Sequence, residues 1–242
     1  MQQHRGRDPR RVLVMMAHPD DPEFTSGGTI ARWRRQGAWV GYVICTGGDK
    51  GNENTELPAE ELIRTREAEQ RSAAASFGVE TVEFLGHEDG FLEHSPELRR
   101  QLVAAVRRYK PDTVVCFDPA TRYLGDGYIQ HRDHWVSGEA TLAAIYPAAR
   151  NGRTFPELLR EGLEPHVVEQ VFMTASNQPT RWIDIGETID AKIAAMLLHR
   201  SQVQDPDGLA AFLRQMAHQA GQTAQPPLEY AEAFRYIDST GG

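Results

Sequence analysis

Residues 12–23 read VLVMMAHPDDPE: six apolar side chains run straight into an imidazole and three carboxylates. Val12–Met16 is short and nearly all apolar, the pattern of a parallel strand buried on both faces. The polar residues that follow gain a fold nothing by packing, because like charges gathered at a strand end repel one another. A divalent cation reverses the sign of that argument. His18 and Asp21 can converge on one metal across the turn, while Asp20 points elsewhere and stays unligated. The structural alternative is a polar turn in which Asp20 or Asp21 caps the next helix. On these residues alone both readings stand.

Further strand-like runs occur at Trp39–Cys45, Thr81–Leu85, Thr113–Phe117, Val167–Thr174 and Arg181–Ile185. Helical patterns separate them over Thr29–Gln36, Pro58–Phe77, Pro96–Tyr109, His131–Ile145 and Glu187–Gln202. The alternation predicts an α/β fold, a Rossmann-like and mostly parallel sheet with helices on both faces. Ligands in such a sheet bind beyond the carboxyl ends of the strands, which puts the metal site at the carboxyl end of the first strand. Residues 119–130 and 203–227, rich in Gly, Pro, Asp and Gln, read as loops. A single domain over residues 1–242 suits the length, with residues 1–10 expected as a flexible N-terminal tail.

Hydrophobic residues make up 40% of the chain and the formal net charge is −8. That balance argues against a nucleic-acid or anionic-membrane partner, since nothing offsets phosphate repulsion. Arg32, Arg34 and Arg35 read as a solvated helix face. The apolar run before His18 falls far short of the ~20 residues a membrane span needs, and no signal-peptide pattern precedes it. A cytoplasmic location is therefore expected. Cys45 and Cys116 form no CxxC. With the first strand between theirs, their Cα atoms should lie ~10 Å apart, beyond the ~7 Å limit for a disulfide, so both are expected as free buried thiols.

His131-Arg132-Asp133-His134 opens a predicted helix and sets two imidazoles three apart on one face. In a sheet ordered 3-2-1-4-5 the first and fourth strands are neighbours, so both clusters meet at one crevice. Two histidines and one carboxylate on zinc, with a fourth position for water, make a catalytic rather than a structural site. Zinc so held lowers the pKa of its water from 15.7 to roughly 7. Asp20 is then the spare carboxylate to take the proton, and His131 the candidate donor to the developing oxyanion.

Rival readings are weaker. The Thr46–Gly51 loop lacks GxGxxG and GxxxxGK[ST] spacing, and its structural role is a flexible rim. No G-x-S-x-G is present and neither cysteine has a histidine close in sequence, which disfavours a serine or thiol nucleophile. A metal-dependent phosphoester hydrolase is disfavoured by the few basic residues around the motifs. A non-catalytic metal- or sugar-binding module leaves Asp20 without a purpose. His199, late in a helix, reads as a surface histidine on the helix dipole at least as readily as a substrate contact.

AHPDDPE over 17–23, followed by HRDH over 131–134, resembles the PIG-L/LmbE-type zinc deacetylases. Those enzymes deacetylate N-acetylglucosamine units in glycolipid-anchor, mycothiol, bacillithiol and antibiotic pathways. The likeness continues through Thr46-Gly47-Gly48, Arg66-Glu67-Ala68-Glu69, Phe77-Gly78-Val79, Asp89-Gly90, Pro111-Asp112, His199-Arg200-Ser201-Gln202 and Ala231–Arg235. The resemblance implies that His18, Asp21 and His134 hold Zn2+ and that Asp20 is the general base; Fe2+ could take the same ligands. It further implies a protonated His131 that polarises the carbonyl or protonates the leaving nitrogen, with Asp133 holding its ring. Arg66 and Asp89 would bind substrate, although Arg64-x-x-Glu67 shares the arginine's spacing and Arg66 is chosen by counting back from Gly78. Some members carry Tyr two residues before the first His of HxDH. Here that position is Ile129, with Tyr128 one further back, so no tyrosine receives a role. The implied substrate is a small N-acetylated sugar or conjugate, with a non-sugar N-acyl amide as the alternative and a homo-oligomer compatible with either.

Overall fold

The apolar run after Arg10 forms β1 (Arg11–Met16), the inner strand from which the site is built. A computed structural model of the chain describes residues 7–240. After β1 come α1 (Asp21–Arg35), β2 (Trp39–Thr46), α2 (Ala59–Ser76), β3 (Thr81–His87), α3 (Pro96–Tyr109) and β4 (Thr113–Phe117). A short hairpin of β5 (Tyr123–Leu124) and β6 (Tyr128–Ile129) precedes α4 (Arg132–Ala143), a π-helical turn (Ala144–Ala148) and α5 (Pro156–Arg160). The chain then forms β7 (Gln170–Thr174), β8 (Arg181–Asp184), α6 (Ile189–Met196), α7 (Pro206–Gln222) and β9 (Ala231–Asp238).

The large sheet is ordered β3-β2-β1-β4-β7-β9-β8. β1 pairs in parallel with β2 and β4, so Leu13 lies between Gly41 and Val114. The first five strands of that order are parallel, as the expected 3-2-1-4-5 arrangement requires, and β9 runs antiparallel to both β7 and β8. Side chains alternate across the sheet. Leu13 and Met15 pack with Leu98, Leu102, Val136 and Ala140 of α3 and α4. Val12, Val14 and Met16 face the other way onto Ile30, Trp33, Ala73 and Ala195 of α1, α2 and α6. Because the connections leave β1 and β4 toward opposite sides of the sheet, a crevice opens at their carboxyl ends, the switch point at which ligands bind in such folds.

Several boundaries differ from the sequence pattern. α1 begins at Asp21 rather than Thr29, so the carboxylate-rich motif itself is the first helical turn. The region 203–227 holds the 17-residue helix α7 instead of a loop. Asp205 caps it by accepting from the Gly208 amide at 3.0 Å, Pro206 opens it, and Leu213 and Ala217 are buried with Ile185, Ile193 and Met196. Region 119–130 contains the β5–β6 hairpin, and α6 is shorter than the expected Glu187–Gln202. Of the tail expected over residues 1–10, residues 1–6 lie outside the described residues, while the Arg10 amide donates to Asp112 at 3.0 Å. Cys45 and Cys116 are both buried and unpaired. Among the described residues no helix is long and apolar enough to cross a membrane.

Candidate active site

The turn after β1 is tightly specified. Asp20 precedes α1 with φ 93° and ψ −30°, a left-handed conformation in a residue that is not glycine, and its side chain caps nothing. Arg66 on α2 donates from Nη2 to Asp20 Oδ2 at 3.1 Å and to the Pro19 carbonyl at 2.8 Å, and from Nη1 to the Gly48 carbonyl at 2.9 Å. Gly48 has φ 69°, and a Cβ there would stand 2.3 Å from Arg66 Nη1. The glycine-rich loop is thus the seat of the Arg66 guanidinium, and only a residue without a side chain fits. Asp21 accepts from the His18 amide at 2.7 Å, which aims its carboxylate back over the turn.

α4 supplies the facing wall. His134 stacks flat on Phe117, with ring centroids 4.0 Å apart and planes at 4°. Asp21 reaches both imidazoles: Oδ2 lies 3.4 Å from His18 Nδ1 and Oδ1 lies 3.3 Å from His134 Nε2. Asp21 thus approaches the two imidazoles with different oxygens, and among the described residues the two candidate ligand groups whose donor atoms all lie within 4.8 Å of one another do not include it. His131 crowds the same space, with a nitrogen within 4.8 Å of donor atoms of His18 and His134. A second grouping at that range joins His18 to Asp89, His131 and Asp133. His18 Nε2 is 3.0 Å from Asp89 and 3.5 Å from Asp133, yet it is buried in a geometry that satisfies no hydrogen bond. His134 Nδ1 is likewise buried and unpartnered. These unpartnered atoms are not the ones that approach Asp21, which are His18 Nδ1 and His134 Nε2. His18 Nε2, set between the Asp89 and Asp133 carboxylates, is the one whose surroundings suit a cation.

The protein groups largely offset one another's charge: burial opposes the charged form of His18, but Asp133, Asp21 and Asp89 hold its pKa well above the usual imidazole value. Burial raises Asp20 to about 6, against a downward pull from Arg66 and with a push from Asp21. Burial also opposes ionisation of Asp21, but the His134 and His18 imidazoles outweigh it and hold the carboxyl well below the usual range. Asp89 is pushed up by burial and drawn down more strongly by His18, to about 2. Burial lowers His131, and the neighbouring His18 lowers it further.

The structure therefore brings together His18, Asp20, Asp21, Arg66, Asp89, His131 and His134 on one open cleft of about 460 Å³, a volume suited to a small molecule. Phe24, Tyr128 and Met196 add apolar surface to its walls. Asp133 is placed differently from expectation. Its carboxylate accepts from the Gly90 amide at 2.7 Å and the Leu92 amide at 3.3 Å, while His131 Nδ1 accepts from the Asp133 amide at 3.3 Å. Asp133 thus meets the His131 ring through its backbone amide rather than its carboxylate, a contact that suits a neutral ring with its proton on Nε2.

Three buried residues behind the motif went unassigned in the sequence. Glu23 and His199 are fully buried against each other at 3.2 Å, so His199 is not a surface histidine. Gln70, also fully buried, donates from Nε2 to both Glu23 oxygens at 3.1 and 3.0 Å and accepts the Asp20 amide at 2.8 Å. The available signal was spacing: Arg66 and Gln70 stand one helical turn apart on the face that meets the motif.

Comparison with known proteins follows the same residues. A family model described as PIG-L: GlcNAc-PI de-N-acetylase matches residues 13–145, more than half of the chain and inclusive of both metal-type motifs. The chain is 28% identical over 232 residues to the diacetylchitobiose deacetylase of Thermococcus kodakarensis, covering 95% of this chain and 84% of that protein. It is 30% identical over 237 residues to a 1D-myo-inositol 2-acetamido-2-deoxy-alpha-D-glucopyranoside deacetylase of Mycobacterium sp. (strain KMS), covering 80% and 74%. The crystal structure of N,N'-diacetylchitobiose deacetylase from Pyrococcus horikoshii matches with a TM-score of 0.87 at 29% identity, over 96% of this chain and 85% of that one.

Proposed function

The chain belongs to the PIG-L, GlcNAc-PI de-N-acetylase, family, and from that membership we propose that it hydrolyses the acetamide of an N-acetylated amino sugar or a conjugate of one. The observation that supports the reading is that Asp21 approaches both His18 and His134, with Asp20 in the same cleft as a further carboxylate. Asp21 is the chosen acidic ligand because it approaches both imidazoles, His18 Nδ1 with Oδ2 and His134 Nε2 with Oδ1. The donor set suits Zn2+, and Fe2+ fits the same types of ligand. When bound, such an ion lowers the pKa of its water to roughly 7 and polarises the acetyl carbonyl.

The protein groups divide the remaining work. Arg66 occupies Asp20 Oδ2, which leaves Oδ1 to take the proton of the attacking water and afterwards to return it to the leaving amine. His131, with Nδ1 engaged by the Asp133 amide, offers Nε2–H to the oxyanion that develops on the acetyl oxygen. Asp89 and Arg66 line the cleft, where a carboxylate can grip sugar hydroxyls and the guanidinium borders the substrate face. Two buried, unpaired thiols suit a cytoplasmic setting.

The test is a panel of N-acetylated monosaccharides, N-acetylated disaccharides, inositol and malate conjugates and simple N-acetyl amines, assayed for released amine with zinc-loaded and chelated protein. Turnover of a sugar acetamide that chelation abolishes and zinc restores is the expected result. Hydrolysis of the simple amides in preference to every sugar would move the activity to a non-sugar amidase.

A further inference from the structure

We infer that Gln70 is a positioning residue for Asp20, acting with Arg66 as a clamp on the Pro19–Asp20 peptide. The inference rests on the reading of Asp20 as the base. Arg66 Nη2 donates to the Pro19 carbonyl at 2.8 Å and Gln70 Oε1 accepts the Asp20 amide at 2.8 Å. Those two backbone atoms belong to one planar peptide unit. Held from both ends by side chains one turn apart on α2, the plane cannot rotate. Its orientation fixes φ of Asp20 at 93°, a conformation that L-residues keep only when their surroundings over-determine it. Arg66 then also holds Oδ2 of the same residue, so backbone and carboxylate are set together.

The orientation of the Gln70 amide is itself imposed. The Asp20 N–H can only donate, so the Gln70 oxygen faces it and Nε2 is turned to both oxygens of Glu23. Turning the amide over would set its oxygen against that carboxylate and its NH2 against the Asp20 N–H, losing both sets of bonds. His199 Nε2, 3.2 Å from Glu23 Oε2, backs the carboxylate from the other side. His199, Glu23 and Gln70 are all fully buried, and this polar chain leads to the amide of the proposed base. A buried ion-like pair stabilises a fold little compared with an apolar replacement, whereas it does fix one geometry.

The experiment is a double-mutant cycle on zinc-loaded protein, using the sugar acetamide that the panel identifies, with metal content and the crystal structure of each variant as readouts independent of turnover. Gln70→Met should lower kcat about 10- to 100-fold, the scale set by small misplacements of a reacting group, with KM within about twofold and zinc retained. In an Asp20→Asn background the same substitution should change kcat less than about twofold, because the group it aims is gone. The Gln70→Met crystal structure should show the Pro19–Asp20 peptide rotated. A second pair covers the case in which Gln70→Met fails to fold. Gln70→Glu keeps the acceptor but loses the donor to Glu23, and adding Glu23→Gln restores a donor there. That swapped pair should recover at least tenfold of the kcat lost in Gln70→Glu alone.

Equal losses in both Asp20 backgrounds, an unmoved peptide, or no recovery in the swapped pair would overturn the clamp. Full activity in Asp20→Asn alone would instead overturn the reading of Asp20 as the base, and the peptide orientation would still report on the clamp.

Discussion

At the carboxyl end of β1 the chain is forced into place, and at the end of β4 it is not. Asp20 sits at φ 93° with its peptide bonded at both ends by α2. His131, which opens α4, has φ −56° and ψ 136°, ordinary extended backbone, and its ring satisfies the Asp133 amide. His134 is held by flat packing on Phe117 rather than by a polar network. Under the roles proposed for Asp20 and His134, the difference follows from what each turn delivers. A metal ligand needs a direction that packing and the ion itself can correct. A base that must meet a water held by that ion has no such correction, so its backbone is fixed in advance.

The largest expected effect would break the idea that the two turns share one ion. His18→Ala and His134→Ala should each lose most of the bound zinc by elemental analysis, and activity should fall to background. Full occupancy in both variants would leave the turns unconnected. Next comes Asp20→Asn, which nearly preserves shape and should keep zinc while kcat falls ~10²–10⁴-fold. If that variant loses zinc while Asp21→Asn retains it, the two aspartates have exchanged roles.

A third measurement sharpens the contrast through pH. Burial raises Asp20 to about 6, so it is protonated and unable to accept a proton below that pH. The acidic limb of kcat/KM should therefore have its midpoint near pH 6, with activity gained as pH rises through it. Arg66 pulls the Asp20 value down, so Arg66→Ala should move that limb to higher pH with zinc content unchanged. A substrate arginine with no hold on Asp20 would raise KM and leave the limb in place.

The smallest effect isolates backbone strain. Asp20→Gly should be more stable to urea than Asp20→Ala by about 1 kcal/mol, because glycine adopts positive φ without penalty. At His131 the order should reverse or vanish, since its backbone is extended. Equal stabilities at position 20 would mean that Asp20 is not strained there.

Much of this was legible along the chain, and the exceptions have physical causes. Pro96–Tyr109 and Thr113–Phe117 were readable to the residue, because α3 has one apolar face and β4 has none that is polar. The start of α1 was hidden because Asp20-Asp21-Pro22 reads as a turn when the burial of the first helical turn is unknown. α7 was masked by its Gly and Gln content, although Asp205-Pro206 is a sound helix opening and Leu213 and Ala217 keep the helical spacing.

By itself the sequence determined the alternation of strands and helices and the chemical types that gather after the first strand, while the 3-2-1-4-5 order came with the fold class that alternation implies. The first two follow from local periodicity and from a motif whose charges make sense only beside a cation. Tertiary structure decided what no spacing could carry. His199 and Glu23 are 176 residues apart in the chain and meet at 3.2 Å. His131 meets the Asp133 backbone amide, and the Asp133 carboxylate is drawn away to Gly90 and Leu92. Each of these depends on which donor arrives first in three dimensions at a buried polar atom, and a buried polar atom takes whatever partner the fold brings because leaving it unpaired costs more.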